Sequence, residues 1–439
     1  MFQHHKNVFA HLRATIGISI FSLLALFSIS SFAGPGTIIV ELNVNVAHAD
    51  LTDFNRQNGV TVVKHYGNSK LYVLSIPAPM TSADIIVLYE NSGLVEYAES
   101  NGRGKGGAGI SFNDTYFAAQ WHTNNIGKYN GINGADINAD AGWILTTGSS
   151  DIVIAVLDTG IQADHPEFIG RLVPGYDFVN NDTNPEADNS HGVYVSAILA
   201  ANADNNFGMV GIDHHARIMP LKVLDDQAYG STSDLAAAIR YAANNGADVI
   251  SMSLAGYKKG KALNKAIKYA RSKGVIMVAC AGNDGVGTAD STYKWAYPGA
   301  YPQTISVGLT DHRDARVSYS STGPNLDVVA PGFLVPTAVY KGDPAPMNPS
   351  LETNGFGDYI TNFEGCSAAT PVVAGVVSLM LSIDPSLTYR KIRRILRNTA
   401  DDQVGPINED TPGRDDFYGW GRINMGKSLN RVLNTIGLN

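Results

Sequence analysis

The sequence predicts an α/β protein built on a doubly wound, mostly parallel sheet and preceded by a small α+β domain. Three observations carry this. From about residue 110 onward, strand-like and helix-like runs alternate. The strand-like runs, such as "DIVIAVLD" and "VIMVACAG", are apolar almost throughout, as in parallel sheets covered on both faces. Upstream, the glycine-rich stretch "NGRGKGGAG" at 101–109 separates this alternation from a β-rich segment.

Residues 1–33 read as an export signal. His4, His5, Lys6 and Arg13 make a polar, positive start, and "ATIGISIFSLLALF" follows as the apolar stretch. Ser31-Phe32-Ala33 presents small residues where a signal peptidase reads, which places cleavage after Ala33 and the product outside the cytoplasm, secreted or extracytoplasmic. An uncleaved anchor is the alternative, and Gly34-Pro35-Gly36 interrupts the run it would need. No later segment reads as a membrane span.

In 34–100, "TIIVELNV", "VTVVKHY", "KLYVLSI" and "GLVEYAE" are strand-like, and "SADIIVLYENS" has helical spacing with Ser82 as its cap. The linker at 101–109 contains G-x-G-x-x-G at Gly102, Gly104 and Gly107, but no helix pattern follows, so a dinucleotide site is not expected. The domain 110–439 then alternates. Strand "DIVIAVLD" precedes helix 191–203, "ARIMPLKVL" precedes helix 233–245, "ADVISMSL" precedes helix 260–273, and "VIMVACAG" leads into a long loop.

Across all 439 residues, 44% are hydrophobic and 16% charged, which suits a large buried core. The formal net charge is −8 and no basic stripe is evident, which argues against a nucleic-acid partner. Two cysteines, Cys280 and Cys366, make no disulfide framework. Spacing leaves both a disulfide and two buried thiols open.

In open α/β sheets the functional residues gather at the carboxyl edge of the strands. Asp158 ends "IAVLDTG" there, and a carboxylate so placed costs desolvation unless it is paired. His191 starts a small-residue helix after "DNS" and is suited to general-base work near neutrality. Ser367 starts the apolar helix of "EGCSAATPVVAGVVSLML", whose dipole favours an oxyanion at its first turn. Asn283, in "ACAGNDG", offers an amide donor just beyond a strand. Taken singly, these read as a strand-end acid, a core histidine, an N-cap and a turn residue. Together they fall on one sheet edge in the order Asp, His, Ser.

The chain resembles the subtilisin-family (subtilase) serine proteases, thermitase-like branch. The resemblance rests on "IAVLDTGIQADHPEF", "SHGVYVSAILAA", "VISMSLAG", "ACAGNDG", "YPGAYPQTISVG", "YSSTGPNLDVVAPG" and "GCSAATPVVAGVVSLML", extended by "NDTYFAAQW" and "YGWGRINM". It implies a subtilisin-like fold and a secreted, self-processing serine endopeptidase. Asp158, His191 and Ser367 would be its triad, and Asn283 with the Ser367 N–H its oxyanion hole. It implies that 34–100 is an inhibitory, folding-assisting propeptide released by cleavage in 101–109. Polypeptide substrates would pair with Ala228-Tyr229-Gly230 and Ser253-Leu254-Ala255. A structural calcium would take Asp114, Glu167 and Asn205 with the carbonyls of Ala203, Phe207 and Met209. The partners expected are thus substrates and the chain's own propeptide, with no membrane contact after leader removal, and the enzyme is expected to be a monomer.

The sequence also departs from the family. After His191 the usual Gly-Thr-His-Val-Ala-Gly is Gly192 to Ala197, with Val193 and Tyr194 replacing a hydroxyl and a second imidazole. Cys366 replaces Thr, Ala368 and Val372 replace Met and His, Ala255 replaces Gly, and Glu167 replaces Asp. The departures after His191 motivate an alternative, a catalytically weak or inactive subtilase scaffold used for binding. A lipase-like hydrolase fits less well, because no glycine follows Ser367. His214-His215 reads as a surface turn, since neighbouring histidines point apart and no third zinc ligand is evident.

Overall fold

A computed structural model describes residues 37–101 except 68 and 78, and residues 110–289, 296–340 and 359–437. The leader and the linker at 102–109 lie outside the described residues. The chain divides into two compact units, Met1–Gly107 and Ala108–Asn439.

The first unit runs β1 (Thr37–Leu42), α1 (His48–Gln57), β2 (Val62–His65), β3 (Leu71–Ser75), α2 (Ser82–Glu90) and β4 (Val95–Ser100). Its sheet has the order β2-β3-β1-β4, and the neighbouring pairs described are antiparallel. Alternation in β1 turns Ile38, Val40 and Leu42 inward against Leu51 of α1 and Ile85 and Tyr89 of α2. Helix α1 has no counterpart in the sequence reading. Its apolar stripe is only Leu51 and Phe54, too thin for periodicity to show. Thr81, not Ser82, caps α2. Its hydroxyl accepts the Asp84 N–H at 3.2 Å, and the Asp84 carboxylate accepts the Thr81 N–H at 2.9 Å.

The second unit continues with α3 (Ala139–Trp143), β5 (Val153–Asp158), β6 (Tyr176–Asp177), α4 (His191–Ala200), β7 (Arg217–Lys222), α5 (Thr232–Asn244), β8 (Val249–Met252), α6 (Lys261–Ser272), β9 (Ile276–Cys280) and β10 (Ile305–Thr310). Then come β11 (Val328–Pro331), β12 (Val335–Ala338), β13 (Tyr359–Phe363), α7 (Cys366–Ile383), α8 (Tyr389–Thr399) and α9 (Met425–Ile436). The main sheet is parallel, with strand order β11-β10-β9-β8-β5-β7-β6. Both of its faces are covered. In β5, Ile154 and Val156 join the core with α4 and α7, while Val153, Ala155 and Leu157 join the one with α5 and α6. The same parity puts Ile276, Val278 and Cys280 of β9 on the α7 side.

Winding reverses at β5, with β7 on one side and β8 on the other. Such a switch point opens a crevice at the carboxyl ends of the strands. Asp158 ends β5, Ser253 follows β8 directly, and Asn283 lies just past β9.

Helix α7 has the length and apolarity to cross a membrane, with mean hydropathy 1.9 over 18 residues. That corrects the expectation that no later segment does. It is the central core helix, buried from Cys366 to Leu381. Helix α4 ends at Ala200, three residues short of the expected 203. The chain then enters a loop in which Asp204 and Asn206 take left-handed φ of 55° and 66°. His214 is also not at the surface. It is buried beside Phe112 and Trp143, ring centroids 5.0 Å from each, while His215 is exposed.

Candidate active site

The first turn of α4 lies directly on the turn that leaves β5. A Cβ on Gly192 would sit 2.0 Å from the Gly160 carbonyl oxygen, so only glycine allows this approach. The Gly192 N–H donates to Thr159 Oγ1 at 2.8 Å. His191 is thereby brought to the strand end, and its Nδ1–H donates to Asp158 Oδ1 at 2.7 Å. The Thr159 N–H donates to the same oxygen at 2.8 Å. Asp158 Oδ2 is buried without a hydrogen bond among the described residues. Burial pulls the His191 imidazole down, but the charge and hydrogen bond of Asp158 outweigh it and hold the ring above its ordinary value.

Two supporting residues escaped the sequence reading. Lys222, at the end of β7 and 1% exposed, donates to the carbonyls of Thr159 and Leu224 at 2.9 and 3.2 Å and pairs with Asp188. A lysine at the end of an apolar strand was the available signal. Phe363 meets the His191 ring edge-on at 5.7 Å and packs on Tyr194 at 4.8 Å. Val193 and Tyr194 are both buried, so aromatic packing occupies the space beside the imidazole.

Ser367 sits in the first turn of α7, 9% exposed. Its Oγ donates to the Ser253 carbonyl at 3.1 Å, and Ser253 Oγ donates to the Ser367 carbonyl at 3.0 Å. Among the described residues, no hydrogen bond joins Ser367 Oγ to His191. Asn283 Oδ1 accepts the Cys366 N–H at 3.0 Å, which leaves its amide nitrogen available as a donor. Cys280 and Cys366 form a disulfide with their Cα atoms 5.2 Å apart, closing the alternative of two thiols. It ties the strand before Asn283 to the residue before Ser367.

A cleft of about 320 Å³ opens beside His191. It is lined by Ala228, Tyr229, Gly230, Ser253, Leu254 and Ala255, which are the expected substrate-pairing residues, and also by Leu224, Gly256 and Tyr257.

Some of the expected calcium ligands lie together. Glu167 is fully buried, and its carboxylate accepts from Met209 N–H at 2.9 Å, Tyr359 hydroxyl at 3.0 Å and Asn205 amide at 3.1 Å. Burial pushes the Glu167 carboxyl up to about 7 and raises that of Asp114. Asp114 Oδ2 accepts the Asp204 N–H at 2.8 Å, while Oδ1 is buried with no hydrogen-bond partner among the described residues. Among the described residues, no hydrogen bond reaches the carbonyls of Ala203, Phe207 or Met209. Two buried acids, an orphaned carboxylate oxygen and uncommitted carbonyls fit a hard cation. Glu167 is the weakest member of the set, because three protein donors already engage it. Asn205 would also have to turn, since Oδ1 now accepts the Phe207 N–H at 2.8 Å.

A cleft of this shape, beside an acid–imidazole pair and a helix-start serine, holds the parts that a serine endopeptidase uses. Comparison with known proteins narrows the class. The model of the subtilase family matches residues 149–421, and that of the fervidolysin N-terminal prodomain matches residues 34–101. The chain is 33% identical to a thermophilic serine proteinase of Bacillus sp. (strain AK1) over 393 residues, 89% of this chain and 86% of that one. It is 36% identical to thermitase of Thermoactinomyces vulgaris over 293 residues, 67% and 93% of the two chains. Among solved structures, a protease of Pseudoalteromonas arctica PAMC 21717 superposes with a TM-score of 0.62 at 27% identity, covering 74% of this chain and all of that one (100%). The chain belongs to the subtilase family and carries an N-terminal prodomain.

Proposed function

We propose that the protein is an exported endopeptidase, made as a zymogen, that cleaves peptide bonds through an acyl-enzyme. In this reading 1–33 is the leader, 34–100 the inhibitory propeptide, 101–109 the processed linker and 110–439 the peptidase. The observation that supports it most is the 2.7 Å bond between buried Asp158 and half-buried His191 at the mouth of the substrate cleft.

Ser367 Oγ attacks the scissile carbonyl carbon while its proton passes to His191 Nε2. The carbonyl electron pair moves to oxygen, where the Asn283 amide and the Ser367 N–H hold it at the positive end of α7. His191 then gives its proton to the amine as the C–N bond breaks, and water repeats the sequence to free the acid. Before substrate arrives, the serine hydroxyl rests on Ser253 O. Attack requires a rotation about its side-chain bond, and such contacts commonly tighten only when substrate is bound. A calcium ion held by Asp114, Asn205, the carbonyls of Ala203, Phe207 and Met209, and Glu167 would neutralise the buried acids and stiffen the 203–209 loop.

A fluorophosphonate probe is expected to label Ser367 in the processed protein. N-terminal mass spectrometry is expected to show trimming in 101–109 for the wild type and none for Ser367→Ala. The resting Ser367–Ser253 bond, with Val193 and Tyr194 behind the imidazole, is what favours the second reading of a weak or inactive binding scaffold. Correctly folded protein that takes no label and keeps its propeptide would establish that second reading instead.

A further inference from the structure

The chain carries a formal net charge of −8, yet α8 reads "YRKIRRILRNT", with Arg390, Lys391, Arg393, Arg394 and Arg397 and no acid. That corrects the expectation that no basic stripe is present. Ile392, Ile395 and Leu396 are buried in the core, so helical spacing turns the basic residues outward. A hollow of about 330 Å³ opens there, lined by Arg390, Arg393, Arg394 and Arg397 with Tyr389 and Trp420, and no acid lines it. Two of the four guanidiniums are fixed. Asp327, 1% exposed, accepts Arg393 Nε and Nη2 at 2.7 and 3.0 Å and Arg397 Nε at 2.6 Å. Arg390 and Arg394 are exposed, and among the described residues their side chains make no hydrogen bond or ion pair. One buried carboxylate thus answers four guanidiniums. Arg271, at the end of α6, adds to the excess and lies over the Tyr389 ring at 4.5 Å. Burial draws its guanidinium down, and the positive charge of Arg390 draws it further. Arg394 also borders a second hollow with Lys391 and with Arg431 of α9. The basic surface therefore runs from α6 across α8 to α9.

We propose that this track is a docking site for a linear polyanion that carries repeated phosphate groups. Guanidinium forks match phosphate oxygens in pairs. A lone carboxylate would answer one of the excess charges, whereas successive phosphates would answer several along the track. A nucleic acid fits less well, because the aromatic faces on which bases would stack are already covered, Tyr389 by Arg271 and Arg393 and Trp420 by Arg397. The site also lies away from the peptide cleft. The Tyr389 hydroxyl donates to the Pro302 carbonyl at 2.9 Å, shortly before β10, and Asp327 stands directly before β11. The track is thus at the amino edge of the sheet, and the cleft is at the carboxyl edge. A polymer held there tethers the protein and leaves the cleft open.

The test follows fluorescently labelled inorganic polyphosphate by anisotropy as it binds the full chain carrying Ser367→Ala, so the result does not depend on catalysis. Saturable binding that weakens as salt rises is expected. Paired Arg390→Gln and Arg394→Gln substitutions are expected to weaken it about tenfold or more, the scale of lost charge-assisted hydrogen bonds. Paired Lys261→Gln and Lys265→Gln substitutions, at exposed positions near the start of α6, remove the same charge elsewhere and are expected to leave binding nearly unchanged. Thermal unfolding of the arginine variant is expected to match that of its parent, since neither side chain is bonded within the described protein, so its loss of binding reads docking and not folding. No binding of the polymer, or an equal loss in the two paired variants, would overturn the proposal. Orthophosphate that competes as well as the polymer at equal phosphate concentration would mark a single-anion site and overturn it too. Tighter binding of single-stranded DNA or polyglutamate of equal charge through Arg390 and Arg394 would assign the track to those partners instead.

Discussion

The side-chain oxygen of Asn283 accepts the backbone N–H of Cys366 at 3.0 Å, one residue before the serine hydroxyl. The bond orients the carboxamide, committing its oxygen and leaving its NH₂ as the free end. The disulfide from Cys280 to Cys366 braces the same two segments, so the Asn283 amide and the Ser367 hydroxyl are carried on one stiff unit. An oxyanion donor is effective because it is already in place when charge develops.

Asn283→Ala is therefore expected to lower kcat by about a hundred- to a thousandfold with little change in KM, the scale known for subtilisin itself. Asn283→Asp can keep the bond to Cys366 but has no donor to offer. It is expected to lose at least as much, and steady-state kinetics on one peptide compares the two. An Asp variant with near wild-type kcat would remove Asn283 from the oxyanion site.

The pH dependence follows from the Asp158–His191 pair. The imidazole must be neutral to accept a proton, and Asp158 holds it above its ordinary value of 6.5. The acid limb of kcat/KM is thus expected above pH 6.5, with the rate rising as pH rises through it. Stability moves the opposite way. A histidine whose folded value is raised contributes fully below its unfolded value and loses that contribution as pH rises through the folded one. Asp158→Asn leaves burial as the dominant influence, so the limb is expected to move to lower pH while kcat falls about 10⁴-fold. A limb that stays in place in the variant would show that another group controls it.

The disulfide closes a loop with a sequence separation of 86 residues. By the loop-closure argument, its removal is expected to cost about 4–5 kcal/mol. Paired Cys280→Ala and Cys366→Ala substitutions in a Ser367→Ala background, where self-digestion is absent, allow this to be measured by guanidinium denaturation. A loss under 1 kcal/mol would mean that the two segments are held by packing alone.

Calcium at one hundred times its dissociation constant is expected to stabilise the folded enzyme by about 2.7 kcal/mol. Thermal unfolding of Ser367→Ala with calcium and with a chelator should separate accordingly, and Asp114→Asn should close the gap. Identical unfolding in the two buffers would reject a cation at the 203–209 loop.

Much of the candidate site was legible because its residues mark element ends. Asp158 closes an apolar run, His191 and Ser367 open helices of small residues, and Asn283 follows a strand directly. Signals of that kind are local, so periodicity and turn chemistry reveal them. His214 misled for the complementary reason. Adjacent polar residues read as a surface turn, but Phe112 and Trp143 arrive from elsewhere in the chain to bury one of them.

The sequence by itself determined the doubly wound architecture, the carboxyl edge on which the site is built and the chemical types available there, since these follow from local apolar pattern and residue order. Only the tertiary structure decided that Cys280 is bonded to Cys366, that Lys222 holds the turn after Asp158 and that Phe363 backs the imidazole. Each of these depends on which segments, distant in the chain, pack against one another. A run of residues records its own period and caps but not the surface it will meet, so those contacts exist only once the sheet and its two helical layers have closed.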